Sequence, residues 1–147
     1  MNQGKINAED VRRKLLEHQL RVTQQRIIIY KELYQTKEHP TAEIIYSKIK
    51  DEYPSLSLAT VYKTLDIFEK NGLVIKIKTN DDSVHYDANV SFHHHLICSK
   101  TNRIIDYMDE DFSELINNYL KEKKINNFDI KNVQLNIFGE IRSGNII

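Results

Sequence analysis

The spacing of apolar residues changes period at Gly72, and no other feature narrows the possible folds of this chain so far. Upstream of Gly72 the spacing is helical. Val11, Leu15 and Leu16 share one face over residues 8–19. Thr23 is placed to cap a second helix with an apolar stripe of Ile27, Ile28, Tyr30, Leu33 and Tyr34. Pro40 and Thr41 open a third, with Ala42, Ile45 and Ile49 on one side. Pro54 closes it, because a residue before proline is driven out of helical space. Ser57 caps a fourth helix, whose inward face is Leu58, Val61, Leu65 and Phe68 and whose stop is Gly72. Downstream, Val74-Ile75-Lys76-Ile77-Lys78 is β-branched and ends in alternation, Asn80 to Ser83 is turn-forming, and Val84-His85-Tyr86 starts a return strand. Helices followed by a short hairpin predict a winged helix-turn-helix over residues 1–86, with the hairpin as its wing.

Residues 87–147 read differently. Asp87 to Phe92 is a connector, and Leu96-Ile97-Cys98 and Arg103-Ile104-Ile105 flank a second turn. Asp111 is placed to cap a fifth helix with Phe112, Leu115, Ile116, Tyr119 and Leu120 on its apolar side. Phe128-Asp129-Ile130 and Val133 to Phe138 read as a last strand region. The whole is an α+β chain, its second part a small α/β domain. A core of about 60 residues is marginal alone and gains from oligomerisation.

Net charge is zero, but it is unevenly spread. Residues 1–78 carry 14 Lys and Arg against 10 Asp and Glu, and the remainder 7 against 11. A basic front half points toward an anionic partner. No apolar run reaches the roughly 18 residues of a membrane span, the first ten residues lack a signal-peptide core, and the single cysteine, Cys98, cannot form an intrachain disulfide. The expected compartment is the cytoplasm, with no membrane partner.

Two groups of residues carry chemistry. Ser57, Thr60, Tyr62, Lys63 and Thr64 lie outward near the start of the fourth helix, where hydroxyls, a ring and a cation suit phosphate and base-edge contacts in a major groove. Arg21 precedes the second helix, and Lys76 and Lys78 stand on the wing; both sets are expected to meet double-stranded DNA. The second group surrounds His93-His94-His95. In extended chain His93 and His95 share a face and His94 points away. Two imidazoles with Asp87 upstream and Asp106 on the next strand make a mixed nitrogen and oxygen set suited to Fe, Mn or Zn. His39 precedes Pro40 in a loop, His18 and His85 read as solvent-facing, and Cys98 reads as a small core residue. A metal-dependent hydrolase would need a general base beside these ligands, and none accompanies them, so the chain does not read as an enzyme.

From about Leu20 to Gly139 the sequence resembles the ferric uptake regulator family. The resemblance rests on Arg21-Val22-Thr23-Gln24-Gln25-Arg26, His39-Pro40-Thr41-Ala42, Ser57-Leu58-Ala59-Thr60-Val61-Tyr62 and His93-His94-His95-Leu96-Ile97-Cys98, in this order. It implies a homodimeric, metal-dependent repressor on a palindromic operator, with a regulatory Fe(2+) or Mn(2+) site (Zn(2+) also fits) of His39, Asp87, His93, His95 and Asp106. The last ligand is Asp in the peroxide-sensing branch and resembles Glu in the iron-sensing branch. Asp106 therefore points to a peroxide-responsive repressor in which peroxide oxidises His39 or His93; a metal-uptake regulator is the alternative. The chain departs from the family in lacking the four-cysteine structural zinc site: Thr101 and Gly139-Glu140-Ile141 stand where its cysteines would be, and Phe92 and Val133 replace histidines of a further site.

Overall fold

The computed structural model describes residues 4–144 and Ile146, and they divide into two compact units at Val90 and Ser91. The first unit is a winged helix-turn-helix. Its helices are α1 (Ala8–Glu17), α2 (Gln24–Gln35), α3 (Ala42–Ile49) and α4 (Leu58–Lys70). Each begins at a side-chain oxygen that takes up an otherwise orphaned backbone N–H. Asn7 accepts from Asp10 at 2.8 Å, Thr23 from Arg26 at 3.3 Å, Thr41 from Ile44 at 3.3 Å and Ser57 from Thr60 at 3.1 Å. Gly72, at φ +72°, takes the left-handed backbone that ends α4. The antiparallel wing follows, β1 (Ile75–Lys78) against β2 (Val84–Asp87), in a register running from Ile75↔Asp87 to Lys78↔Val84.

Val11, Leu15, Ile29, Leu33, Ile45, Val61, Leu65 and Phe68 fill the core with almost no exposure. Burial of each such side chain contributes about 1.5–3 kcal/mol, and Tyr30 meets Phe68 edge-on with ring centroids 5.8 Å apart. Three details differ from the sequence reading. α3 ends at Ile49, several residues before Pro54. Leu58 is only half-buried; Leu56, ahead of the helix, takes the inward place. Thr64, expected on the outward face, is buried, because it stands three residues after Val61 and four before Phe68 and so completes their stripe.

Burial holds the phenols of Tyr30 and Tyr86 neutral, each pushed up to about 12. A group with a raised folded-state pKa contributes stability that is present below its unfolded value, near 10, and lost as pH rises through the folded one. The denaturant midpoint is therefore expected to fall between pH 10 and about 12, and Tyr30→Phe with Tyr86→Phe should flatten that fall.

The second unit is a three-stranded sheet with one helix. Its elements are β3 (His94–Cys98), β4 (Ile104–Tyr107), α5 (Glu110–Lys123) and β5 (Asn136–Gly139), in sheet order β4-β3-β5. β4 runs antiparallel to β3, with His95 opposite Asp106, and β5 runs parallel to β3, with His95 opposite Asn136. The N-cap of α5 is Asp109, which accepts from Phe112 at 2.9 Å, so the helix starts two residues before the expected Asp111. Phe128-Asp129-Ile130 is not a strand; β5 alone represents the expected strand region. No described residue of α5 is buried, and Leu115 and Tyr119 lie 67% and 57% exposed. Among the described residues, no helix is long and apolar enough to cross a membrane.

Candidate metal centre and nucleic-acid face

Within the first unit, His39 and Asp87 are brought together. Asp87 is the last residue of β2 rather than part of a connector, and its carboxylate lies 3.3 Å from Nε2 of His39, both groups buried. Within the second unit, alternation of extended chain puts His93, just ahead of β3, and His95, within it, on one face, ring centroids 4.6 Å apart. Asp106 comes from the paired strand, its Oδ1 3.4 Å from Nε2 of His93 and 3.7 Å from Nε2 of His95. These separations exceed the usual N–H···O range of about 2.7–3.2 Å. Donors sharing one cation at about 2.1 Å are held roughly 3.0–3.5 Å apart; the 3.3 and 3.4 Å separations fall within that range and the 3.7 Å one just beyond it.

The tautomer of His93 supports the same reading. Its Nδ1 lies 2.7 Å from the carbonyl oxygen of Ser91. A carbonyl only accepts, so Nδ1 carries a proton, and in the neutral ring Nε2 keeps a lone pair that a metal could take. Imidazoles and carboxylates together match a borderline divalent metal, and the residues present fit such an ion.

His94 is on the opposite face and is fully buried. Leu135 N–H donates to its Nδ1 at 3.2 Å, and its Nε2 lies 3.3 Å from the Ser113 hydroxyl, with Phe92 and Phe112 edge-on to the ring. Both ring nitrogens are engaged, and burial pushes its pKa down, so it serves the packing of α5 rather than a metal. His85 is not solvent-facing as expected: it is half-buried with Nδ1 2.6 Å from the carbonyl oxygen of His39. His18 is half-buried as well, on the carbonyl of Lys14. Cys98 is buried. The hydroxyl of Thr101, where a second cysteine would complete a Cys-x-x-Cys pair, holds the Cys98 thiol down to about 7. Ser99 N–H bonds Gly139 at 2.8 Å and Lys100 pairs with Glu140 at 2.9 Å, so ordinary bonds tie the β3–β4 turn to the chain after β5.

At the start of α4, Ser57, Tyr62 and Lys63 are exposed and Thr60 half-exposed, as is needed for contact with a duplex; Thr64 is removed from that set by its burial. Arg21 is exposed. On the wing, Lys78 pairs with Asp82 at 3.0 Å in the same hairpin. Lys76 is more committed: Asp66 and Glu69 of α4 hold it at 2.7 and 3.9 Å, fastening the wing to the helix. It is thus less free to meet phosphate than its place on the wing implied. Sequence spacing also missed Glu43, whose carboxylate accepts the hydroxyl proton of Tyr62 from nineteen residues away. That bond pushes Tyr62 up to about 12 and holds Glu43 low. A tertiary pairing of this kind leaves no periodic signal in the chain.

Known proteins resemble this chain in sequence and fold. The model of the ferric uptake regulator family matches residues 17–138. The peroxide-responsive repressor PerR of Staphylococcus epidermidis is 31% identical over 120 residues, covering 82% of this chain and 78% of its own. Among solved structures, the Campylobacter jejuni peroxide stress regulator is 30% identical with a TM-score of 0.68, covering 92% of this chain and 96% of that one. The ferric uptake regulator of Pseudomonas aeruginosa with manganese has a TM-score of 0.78 at 24% identity over 90% and 98% of the two chains, a likeness of fold. With 122 of its 147 residues matched by the family model, this chain belongs to the ferric uptake regulator family.

Proposed function

We propose that the protein is a homodimeric transcriptional repressor that grips a palindromic DNA operator when a divalent metal is bound, and lets go when peroxide oxidises a ligand histidine. The observation that carries this reading is the donor set: His39 with Asp87 in the winged-helix unit, and His93, His95 and Asp106 in the sheet unit. One ion taking ligands from both would clasp the units and so fix the presentation of α4 to DNA. Two copies of α4 must meet half-sites about one helical turn apart, which makes their presentation decisive. Arg21, Ser57, Thr60, Tyr62, Lys63 and Lys78 are the proposed contacts to the duplex.

Peroxide sensing is supported by the relatives named for it and by Asp, rather than Glu, at position 106. Bound Fe(2+) would supply the electron that breaks the O–O bond of peroxide and so leads to oxidation of an adjacent imidazole. His39 and His93 are the proposed targets. The chain's own part is to hold those rings against carboxylates in a buried setting. Mn(2+), less readily oxidised, would fill the same site and give a peroxide-insensitive repressor.

Anaerobic protein loaded with Fe(2+) or with Mn(2+) and given a small excess of peroxide tests this. With iron, operator binding should fall at least tenfold, and a peptide containing His39 or His93 should gain one oxygen; with manganese neither change should occur. Iron-loaded protein that keeps its operator and gains no oxygen would leave the chain a regulator of metal uptake.

A further inference from the structure

Three consecutive wing residues converge on the loop that carries His39. Asp87 faces its ring, Tyr86 N–H donates to the carbonyl of Pro40 at 3.0 Å, and His85 reaches the carbonyl of His39 itself at 2.6 Å. His85 also forms an antiparallel bridge with Thr41, while its own strand partner in the wing is Ile77. The backbone being held is strained. His39 sits at φ +48°, immediately before Pro40. Left-handed backbone costs a residue with a Cβ about 1–2 kcal/mol, and it persists only where surroundings over-determine it.

We infer that His85 is a positioning residue for the metal: its Nδ1–H pins the carbonyl of His39 in the left-handed conformation and so keeps the His39 imidazole aimed at Asp87. The carbonyl only accepts, so His85 must donate, and the bond needs a side-chain N–H at that place rather than a metal ligand. The same residue is part of the wing ladder. A metal held by His39 therefore bears on β2 directly, and the wing is ordered by the ligand loop as well as by the ion pairs of Lys76 with α4. This inference rests on the proposed metal site and adds a residue outside its ligand set.

The test compares wild type, His85→Ala, His85→Gln and His39→Ala, using Mn(2+) as the probe. Titration against a chromophoric chelator should show roughly a tenfold or greater loss of Mn(2+) affinity for His85→Ala, as for loss of a residue that orients a ligand. His85→Gln, which keeps a side-chain N–H, should recover most of it. In the metal-free proteins, amide hydrogen exchange at Tyr86 and Thr41 should quicken in His85→Ala while the α1–α4 core amides stay protected. That pattern separates local loosening from loss of the fold. Wild-type Mn(2+) affinity in His85→Ala, or equal losses in His85→Ala and His85→Gln, would overturn the inference. If His39→Ala loses Mn(2+) and His85→Ala does not, only this inference fails. If His39→Ala binds Mn(2+) like wild type, the metal site fails and the inference with it.

Discussion

Asp106→Ala is expected to lower Mn(2+) affinity by roughly 100-fold or more and to abolish metal-dependent operator binding, while the metal-free protein keeps its thermal midpoint. Asp106 is the informative one of the proposed ligands to remove because its side chain is 36% exposed, whereas those of His93 and His95 are wholly buried. An alanine there opens no core cavity, so the loss reports coordination rather than folding. The magnitude follows from what remains. Changing a residue that merely supports a ligand typically costs 10–100-fold, and here a donor itself is lost. The lone pairs of His93 and His95 would then keep a cation without the one carboxylate that faces both. Chelator competition gives the affinity, and differential scanning fluorimetry of the metal-free protein gives the control. Near-normal Mn(2+) binding by a folded Asp106→Ala would remove Asp106 from the site.

The second large effect concerns assembly. Phe138→Asp and Leu115→Asp, singly or together, are expected to turn a dimer into monomers and to weaken operator binding by at least about 100-fold, since linked half-site contacts gain 10²–10⁴-fold over single ones. The reason lies in the second unit. Leu115, Tyr119, Ile125, Phe128 and Phe138 are about half-exposed or more, and every residue of β5 is exposed on what is an outer strand of the sheet. A small unit that leaves its helix face and a strand edge open is poorly served alone. In the proposed dimer a second copy of the chain would cover both by strand pairing and apolar packing. Sedimentation velocity reads the oligomeric state directly; a variant that remains dimeric would place the interface elsewhere.

Much of the first unit could be read from spacing because its helices carry both a cap and a stripe. Thr23, Thr41 and Ser57 each cap the helix expected of them, and Gly72 stops α4. Thr64 departs from the outward place expected of it because helical geometry puts it with Val61 and Phe68. In the second unit, Asp109 and Asp111 are both plausible caps, and only the packing of Phe112 and the bond to its N–H choose between them. For the site, alternation separated His93 and His95 from His94 correctly. The structure gave the reason His94 is unavailable, namely Leu135 and Ser113 on its two nitrogens. The roles of His85 and Glu43 depend on contacts 46 and 19 residues apart in sequence, and no local pattern encodes them.

Metal occupancy is proposed to control the grip on DNA. The most direct measurement is fluorescence anisotropy of a labelled duplex, selected from a random pool by the Mn(2+)-loaded protein, titrated with metal-free protein, with Mn(2+)-loaded protein, and with loaded protein after addition of a chelator. Binding at least tenfold tighter with Mn(2+), reversed by the chelator, is expected. Equal affinity in all three titrations would contradict it and leave a DNA-binding protein whose histidines and aspartates do not govern its operator.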